Sequence, residues 1–171
     1  MILKTFESKK INLDKNKIVL FYGQNEGHKK EEISKLLIAN KNREIIKYSE
    51  NEILENSENL YNHILSESLF SQKKVIIVNR ASDKILKIIE YLNNKSFSDV
   101  FIIINAKNLE KKSKLRSFFE KSKEFIAIAF YPDNNQTLTK NAALFFNENK
   151  IPMSQENLNL VISKCSGDRG I

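Results

Sequence analysis

The sequence predicts an α/β fold, a mostly parallel sheet of about five strands flanked by helices, followed by the start of a small all-helical domain. Two observations predict it. Short apolar runs rich in β-branched residues recur at 17–23, 74–79, 100–106 and 125–130, with a further strand candidate at 44–48. Runs this short, apolar on both faces, read as strands buried in a parallel sheet. Between them lie segments with helical spacing of apolar residues, and such alternation implies right-handed crossovers that place helices on both faces.

Taken in order, residues 17–23 form an apolar strand ending at Gly23, and Ile33, Leu36 and Leu37 then share one face of a helix. The strand at 44–48 leads into Ser49-Glu50-Asn51-Glu52, which has the spacing of a capping box. A helix over 58–67 buries Leu60, Ile64 and Leu65 as its stripe. The strand at 74–79 follows, then a helix over 83–92 and the strand at 100–106. Residues 113–123 read as a helix with Leu115, Phe118 and Phe119 inward, and 125–130 closes the sheet. A first domain over 1–133 is expected to end near Tyr131-Pro132-Asp133. Beyond it, over 134–171, the pattern is helical alone, at about 136–149 and 154–165. The last residues, 167–171, carry no cap, so the chain is expected to be a fragment of something longer.

Composition narrows the class. With 171 residues, 41% hydrophobic and 29% charged, the chain can bury a full core. Four Gly and two Pro argue against a linker-rich or disordered chain, and no apolar run approaches a membrane span. The first ten residues lack the apolar core of a signal peptide, so a cytoplasmic protein with no membrane partner is expected. Cys165 is the lone cysteine and reads as a small buried hydrophobe. The formal charge of +7 permits a polyanionic partner. Lys, Ile and Asn recur throughout, however, as an AT-rich coding bias would produce, and acidic residues are interspersed.

Ligand sites of α/β sheets lie beyond the carboxyl ends of the strands. After the first strand stands Gly23-Gln-Asn-Glu-Gly-His-Lys-Lys30. A phosphate-binding P-loop needs G-x-x-x-x-G-K-[ST], so that backbone N–H groups wrap the phosphate, Lys reaches its terminal oxygens and a hydroxyl holds Mg²⁺. Gly23 and Lys29 fit that frame. His28 replaces the second Gly, Lys30 replaces the hydroxyl, Gly27 comes one place early and Glu26 adds a negative charge. The strand at 74–79, where a Mg²⁺-directing carboxylate belongs, ends in Asn79 and Arg80. This is the shell of a nucleotide-binding module with its catalytic parts replaced, and no cofactor is expected. Neither G-x-G-x-x-G nor G-x-S-x-G occurs. His28, expected in the loop, and His63, on a helix, have no Cys beside them.

Several elements together resemble the delta-subunit family of bacterial DNA polymerase III. They are Phe21-Tyr22-Gly23 before a polar loop, Glu67-Ser68-Leu69-Phe70-Ser71 leading into a buried strand, Phe101 to Lys107 with Leu109, the Lys-Ser-Lys-Leu run ending at Leu115, and Gly167-Asp168-Arg169. The resemblance implies an AAA+-like, P-loop-type domain without a working nucleotide site, which binds the ring-shaped sliding clamp, the beta subunit, and opens it for loading onto primed DNA. It implies that Ser68, Leu69 and Phe70 carry the clamp-binding element, and that other clamp-loader subunits join through a C-terminal domain beyond this chain. The residues themselves leave Leu69 and Phe70 open between two roles, core anchors closing the preceding helix or an exposed apolar plug. Two further readings stand beside this one: a degenerate P-loop enzyme that still binds nucleotide over 23–30, and a basic DNA-binding module that rests on charge alone.

Overall fold

Alternation along the strands divides their side chains between two cores, and that division sets the layers. In the computed structural model, which describes residues 1–65 and 73–165, β2 (Ile18–Tyr22) sends Ile18, Leu20 and Tyr22 to one face and Val19 and Phe21 to the other. Together with β1 (Ile2–Leu3), β3 (Glu44–Ser49), β4 (Lys74–Ala81), β5 (Val100–Ala106) and β6 (Ile126–Ala129), it forms a six-stranded sheet in the order β1-β6-β2-β5-β4-β3. Every pairing is parallel. Five strands are those read from the sequence. The sixth, β1, extends the sheet beside β6 with Ile2 opposite Ala127, and two residues are too few to carry a periodicity.

Four helices feed the first core: α2 (Glu50–Glu55), α3 (Ser57–Leu65), α4 (Leu86–Asn93) and α5 (Lys114–Lys121). The second core lies under α1 (Glu26–Ile38) and a 3-10 helix at Thr5–Lys10. Ser8 Oγ donates to Glu32 Oε2 at 2.5 Å in a buried contact that fastens the 3-10 helix to α1. Beyond the sheet, α6 (Asn135–Glu148) and α7 (Gln155–Cys165) pack Leu138, Leu158, Ile162 and Cys165 into a small cluster of their own. Among the described residues, no helix is long and apolar enough to cross a membrane.

The expected capping box is present: Ser49 accepts from the Glu52 amide, and Glu52 accepts from the Ser49 amide. Several details depart from the sequence reading. Leu65 stays 37% exposed at the end of α3, leaving Leu60 and Ile64 as the buried stripe. Phe118 is only partly buried, while Leu115 and Phe119 point fully inward. The helix expected over 83–92 opens as a 3-10 turn at Asp83–Ile85 before α4 begins. His28 lies in the first turn of α1 rather than in a loop, because Asn25 caps the helix early. His63 is on α3 as expected, its Nδ1 sharing a 2.5 Å hydrogen bond with the Tyr48 hydroxyl.

Side-chain carboxylates fasten the turn after β4 to two neighbouring helices. Glu50, at the start of α2, accepts from the Ser82 amide and hydroxyl. Asp83 accepts from Ser113 Oγ and from the amides of Lys114 and Leu115, so it caps α5 from another part of the chain. Burial alone would raise the Asp83 carboxyl, but these three hydrogen bonds outweigh it and hold the group below the usual carboxylate range. A carboxyl lowered on folding contributes stability above its unfolded value, near pH 3.9, and loses it as pH falls through the lowered value. Asp83→Ala is therefore expected to cost about 1 kcal/mol at pH 7, the range of a lost helix cap discounted for solvent exposure. In urea unfolding, the gap between variant and parent should close below about pH 4.

Candidate functional site

Beyond the end of β2 the chain turns on Gly23, whose φ of +127° an L side chain rarely adopts. A Cβ there would also lie 2.2 Å from the Phe130 carbonyl oxygen. The amide of Gly23 donates to the Lys107 carbonyl, and that of Asn25 to the Phe130 carbonyl. The turn is thereby stitched to the ends of β5 and β6. Asn25 then starts α1 at once: its Oδ1 accepts from the His28 amide at 3.0 Å, and its Nδ2 donates to Asp133 Oδ2 at 2.8 Å. Gly27, His28, Lys29 and Lys30 consequently belong to a helix.

With this early start, amides at the beginning of α1 bond within the chain. The amides of Glu26, His28 and Lys29 donate to the Gln24 carbonyl, Asn25 Oδ1 and the Asn25 carbonyl respectively. The His28 ring packs edge-on against Phe130, with centroids 5.1 Å apart. Lys29 is wholly buried. Its ammonium donates to Glu26 Oε1 at 2.8 Å and to the Ala106 carbonyl at the end of β5 at 2.5 Å. In a working P-loop this ammonium would face the terminal phosphates. Here it is bonded inside the protein.

The position expected to direct Mg²⁺ is equally committed. Asn79 on β4 stands level with Asn105 on β5, and Asn105 Nδ2 donates to Asn79 Oδ1 at 3.1 Å. Asn105 Oδ1 is buried without a hydrogen-bond partner. Above this amide pair opens a crevice of about 450 Å³, reached from the first turn of α1 and the ends of β3, β4 and β5. Lys30, Lys47, Arg80 and Lys107 line it, with Tyr48, Glu26 and Glu52. Among the described residues, no three of His, Cys, Asp and Glu gather as metal ligands.

On the other side of the Gly23 turn, the Tyr22 hydroxyl donates to Glu120 Oε1 and the Arg116 guanidinium lies over the Tyr22 ring, 5.0 Å from its centroid. Arg116 also donates to Glu120 and to the Leu109 carbonyl. Burial, then the Glu120 carboxylate, push the Tyr22 hydroxyl well above the usual phenol range, so it acts only as a donor here.

Of the residues singled out from the sequence, the structure brings Gly23, Gly27, His28, Lys29 and Lys30 to one edge of the sheet together with Asn79 and Arg80. Ser68, Leu69 and Phe70 lie outside the described residues, as does the 167–169 motif. Lys73, the first described residue after that segment, directly precedes β4 at its amino end, the end of the strand opposite the crevice. There Lys73 Nζ and Arg43 Nη2 both meet Asp14 Oδ1 at 2.7 Å. Sequence reasoning missed Lys47, Asn105 and Lys107 in the crevice. All three sit at or just past the carboxyl end of a strand, a rule that would have found them.

The fold is AAA+-like. The chain is similar to domain III of the replication initiation protein DnaA from Thermotoga maritima, with a TM-score of 0.55 and 12% identity over 96% of this chain and 75% of that one. It is also similar to the DNA clamp loader delta protein of Bacillus subtilis, with a TM-score of 0.53 and 11% identity over 94% of this chain. It spans only 55% of that second chain. At such identities the likeness is one of fold. No protein-family model matches the sequence, and neither does any curated protein.

The internal bonding of Lys29 gives a direct test. Lys29→Met is expected to lower stability by about 1–3 kcal/mol, because the Ala106 carbonyl loses a charged donor in a buried place. A lysine reserved for phosphate would leave the ligand-free fold unchanged. Urea unfolding of parent and variant, without nucleotide, distinguishes the two.

Proposed function

We propose that this chain is a non-catalytic, clamp-loader-type subunit of a bacterial replicative polymerase, of the delta kind, which binds the sliding clamp and opens its ring. The observation that carries the reading is the fully buried Lys29, bonded to Glu26 and Ala106 where a working module would present it to phosphate. The likeness of fold to a clamp loader delta protein supports it, as does the order of sequence elements described above. Residues 1–133 would form the clamp-binding domain and 134–171 the beginning of a helical one. The other loader subunits and primed DNA would be met in the full assembly, the former through a domain beyond this chain.

In this reading Ser68, Leu69 and Phe70 provide the contact with the clamp. Seating each of the two apolar side chains in a pocket gains about 1.5–3 kcal/mol, enough for a pair to dominate an interface. Ring opening needs no covalent chemistry. The subunit has only to bind the distorted ring interface better than the closed one, since a ligand shifts an equilibrium by its differential affinity.

The core and partner roles of Leu69 and Phe70 give opposite results. As an exposed plug, the double variant Leu69→Ala with Phe70→Ala should keep its melting temperature within a few degrees. It should also lose affinity for the cognate clamp by about a hundredfold or more, read by surface plasmon resonance. As core anchors, each truncation would cost about 2–5 kcal/mol and spare the clamp. Val75→Ala with Ile77→Ala, both buried on β4, is the control that destabilises the fold in either case.

A degenerate nucleotide-binding enzyme is the competing reading, and it requires the loop over 23–30 to take up ATP. Calorimetry with millimolar ATP and Mg²⁺ is expected to give no saturable heat. Micromolar binding would favour the enzyme and remove the central support for a nucleotide-independent subunit.

A further inference from the structure

The crevice at the carboxyl edge of β3, β4 and β5 has features that the loss of nucleotide chemistry does not explain. Four cations line it, and each comes from a different element: Lys30 from the first turns of α1, Lys47 from β3, Arg80 from the end of β4 and Lys107 from just past β5. All four are exposed, and none takes part in an ion pair of the described structure. Of the two carboxylates beside them, Glu26 is bonded to Lys29. Glu52 is engaged by the amide and hydroxyl of Ser49, which hold it below the usual carboxylate range. Like charges gathered this way repel one another, an unfavourable arrangement unless an anion shares the space.

Arg80 adds an independent observation. Its φ of 59° lies in the left-handed region, which a residue with a long side chain enters at a cost. The ladder between β4 and β5 slips there: Asn79 pairs with Asn105, Ala81 with Ala106, and Arg80 is left over as a bulge that points into the crevice. Two and three residues on, Ser82 and Asp83 are fixed by their bonds to Glu50 and to the start of α5, so the bulge runs straight into an anchored turn. The floor is polar and incompletely satisfied, since Asn105 Oδ1 lacks a partner. Such a floor disfavours an apolar occupant and calls for a hydrogen-bond donor such as water, leaving the four cations above it to meet the anion.

We propose that Lys30, Lys47, Arg80 and Lys107 hold phosphodiester groups of a nucleic-acid strand in this crevice. A free triphosphate fits it poorly. The amides that would wrap it donate within the chain, Lys29 is bonded internally, and Asn79 stands where a carboxylate would hold its Mg²⁺. A triphosphate would also bring its several negative charges against Glu26 and Glu52. A phosphodiester carries one. Cations spread over four elements around an open crevice suit successive phosphates along a strand, as in proteins that track a backbone without reading bases.

The test is fluorescence anisotropy with a labelled single-stranded oligonucleotide of about 20 residues, titrated with the chain between about 50 and 200 mM salt. Lys47→Gln with Arg80→Gln is expected to weaken binding at least tenfold. Two lost contacts should also make the slope of log K against log salt shallower by about 1.4, at roughly 0.7 per phosphate on a single strand. Lys140→Gln with Lys164→Gln, on α6 and α7, should leave both quantities unchanged. If the first pair fails to fold, Lys30→Gln with Lys107→Gln carries the same expectation. Equal weakening by the α6–α7 pair, absence of binding by the parent chain, or displacement by ATP as readily as by unlabelled oligonucleotide would each overturn the proposal. So would equal displacement by polyglutamate, which would make the crevice a site for an acidic peptide. The proposal stands apart from clamp binding: the crevice variants should retain the clamp, so the two readings fail separately.

Discussion

The Lys29 ammonium sets the character of the carboxyl edge of the sheet. Carried on the second turn of α1, it reaches the last carbonyl of β5 and is neutralised by Glu26 one helical turn back. A buried charge without such partners would be prohibitively unfavourable, so the geometry of α1 against β5 is tied to this contact. Gly23 must turn with a positive φ beneath Phe130 for the helix to start where it does, and Asn25 must cap it there. The inward bonding of Lys29 and the fixed position of α1 are two aspects of one arrangement.

On the opposite face of the sheet, order comes from carboxylates that reach across the chain. Glu50 and Asp83 secure the turn after β4 to α2 and α5. Both faces are therefore fastened at the same edge, one through a buried cation and the other through anions at helix starts. The amino edge is held by the exposed Asp14 cluster, where hydrogen bonds from Lys73 and then Arg43 hold the carboxyl below its usual range. Solvent and salt screen that cluster far more than the Lys29 contact.

Much of the architecture was legible in the sequence because it follows from apolar periodicity. The runs containing Ile18, Val75, Ile102 and Ile126 could be nothing but interior strands, and the Ser49–Glu52 spacing announced the start of α2. What escaped depends on contacts between residues distant in the chain. Two residues of β1 acquire their identity only from β6, and Leu65 shares the apolar spacing of Leu60 and Ile64 while staying far more exposed than either. The candidate site divides in the same way. The departures from the P-loop frame at His28, Lys30 and Asn79 were readable residue by residue. That Lys29 turns inward, and that Lys47, Arg80 and Lys107 converge, follows from strand order, which no local pattern encodes.

The position of Lys73 has a mechanical side. It sits at the amino end of β4, a strand paired along its length with β3 on one side and β5 on the other, all running the same way. Tension applied at Lys73 along the strand axis would load both ladders in shear, with many hydrogen bonds sharing the force at once instead of opening one after another. A tug on that end would be passed into the body of the sheet, and β4 would resist being drawn out as a zip is drawn.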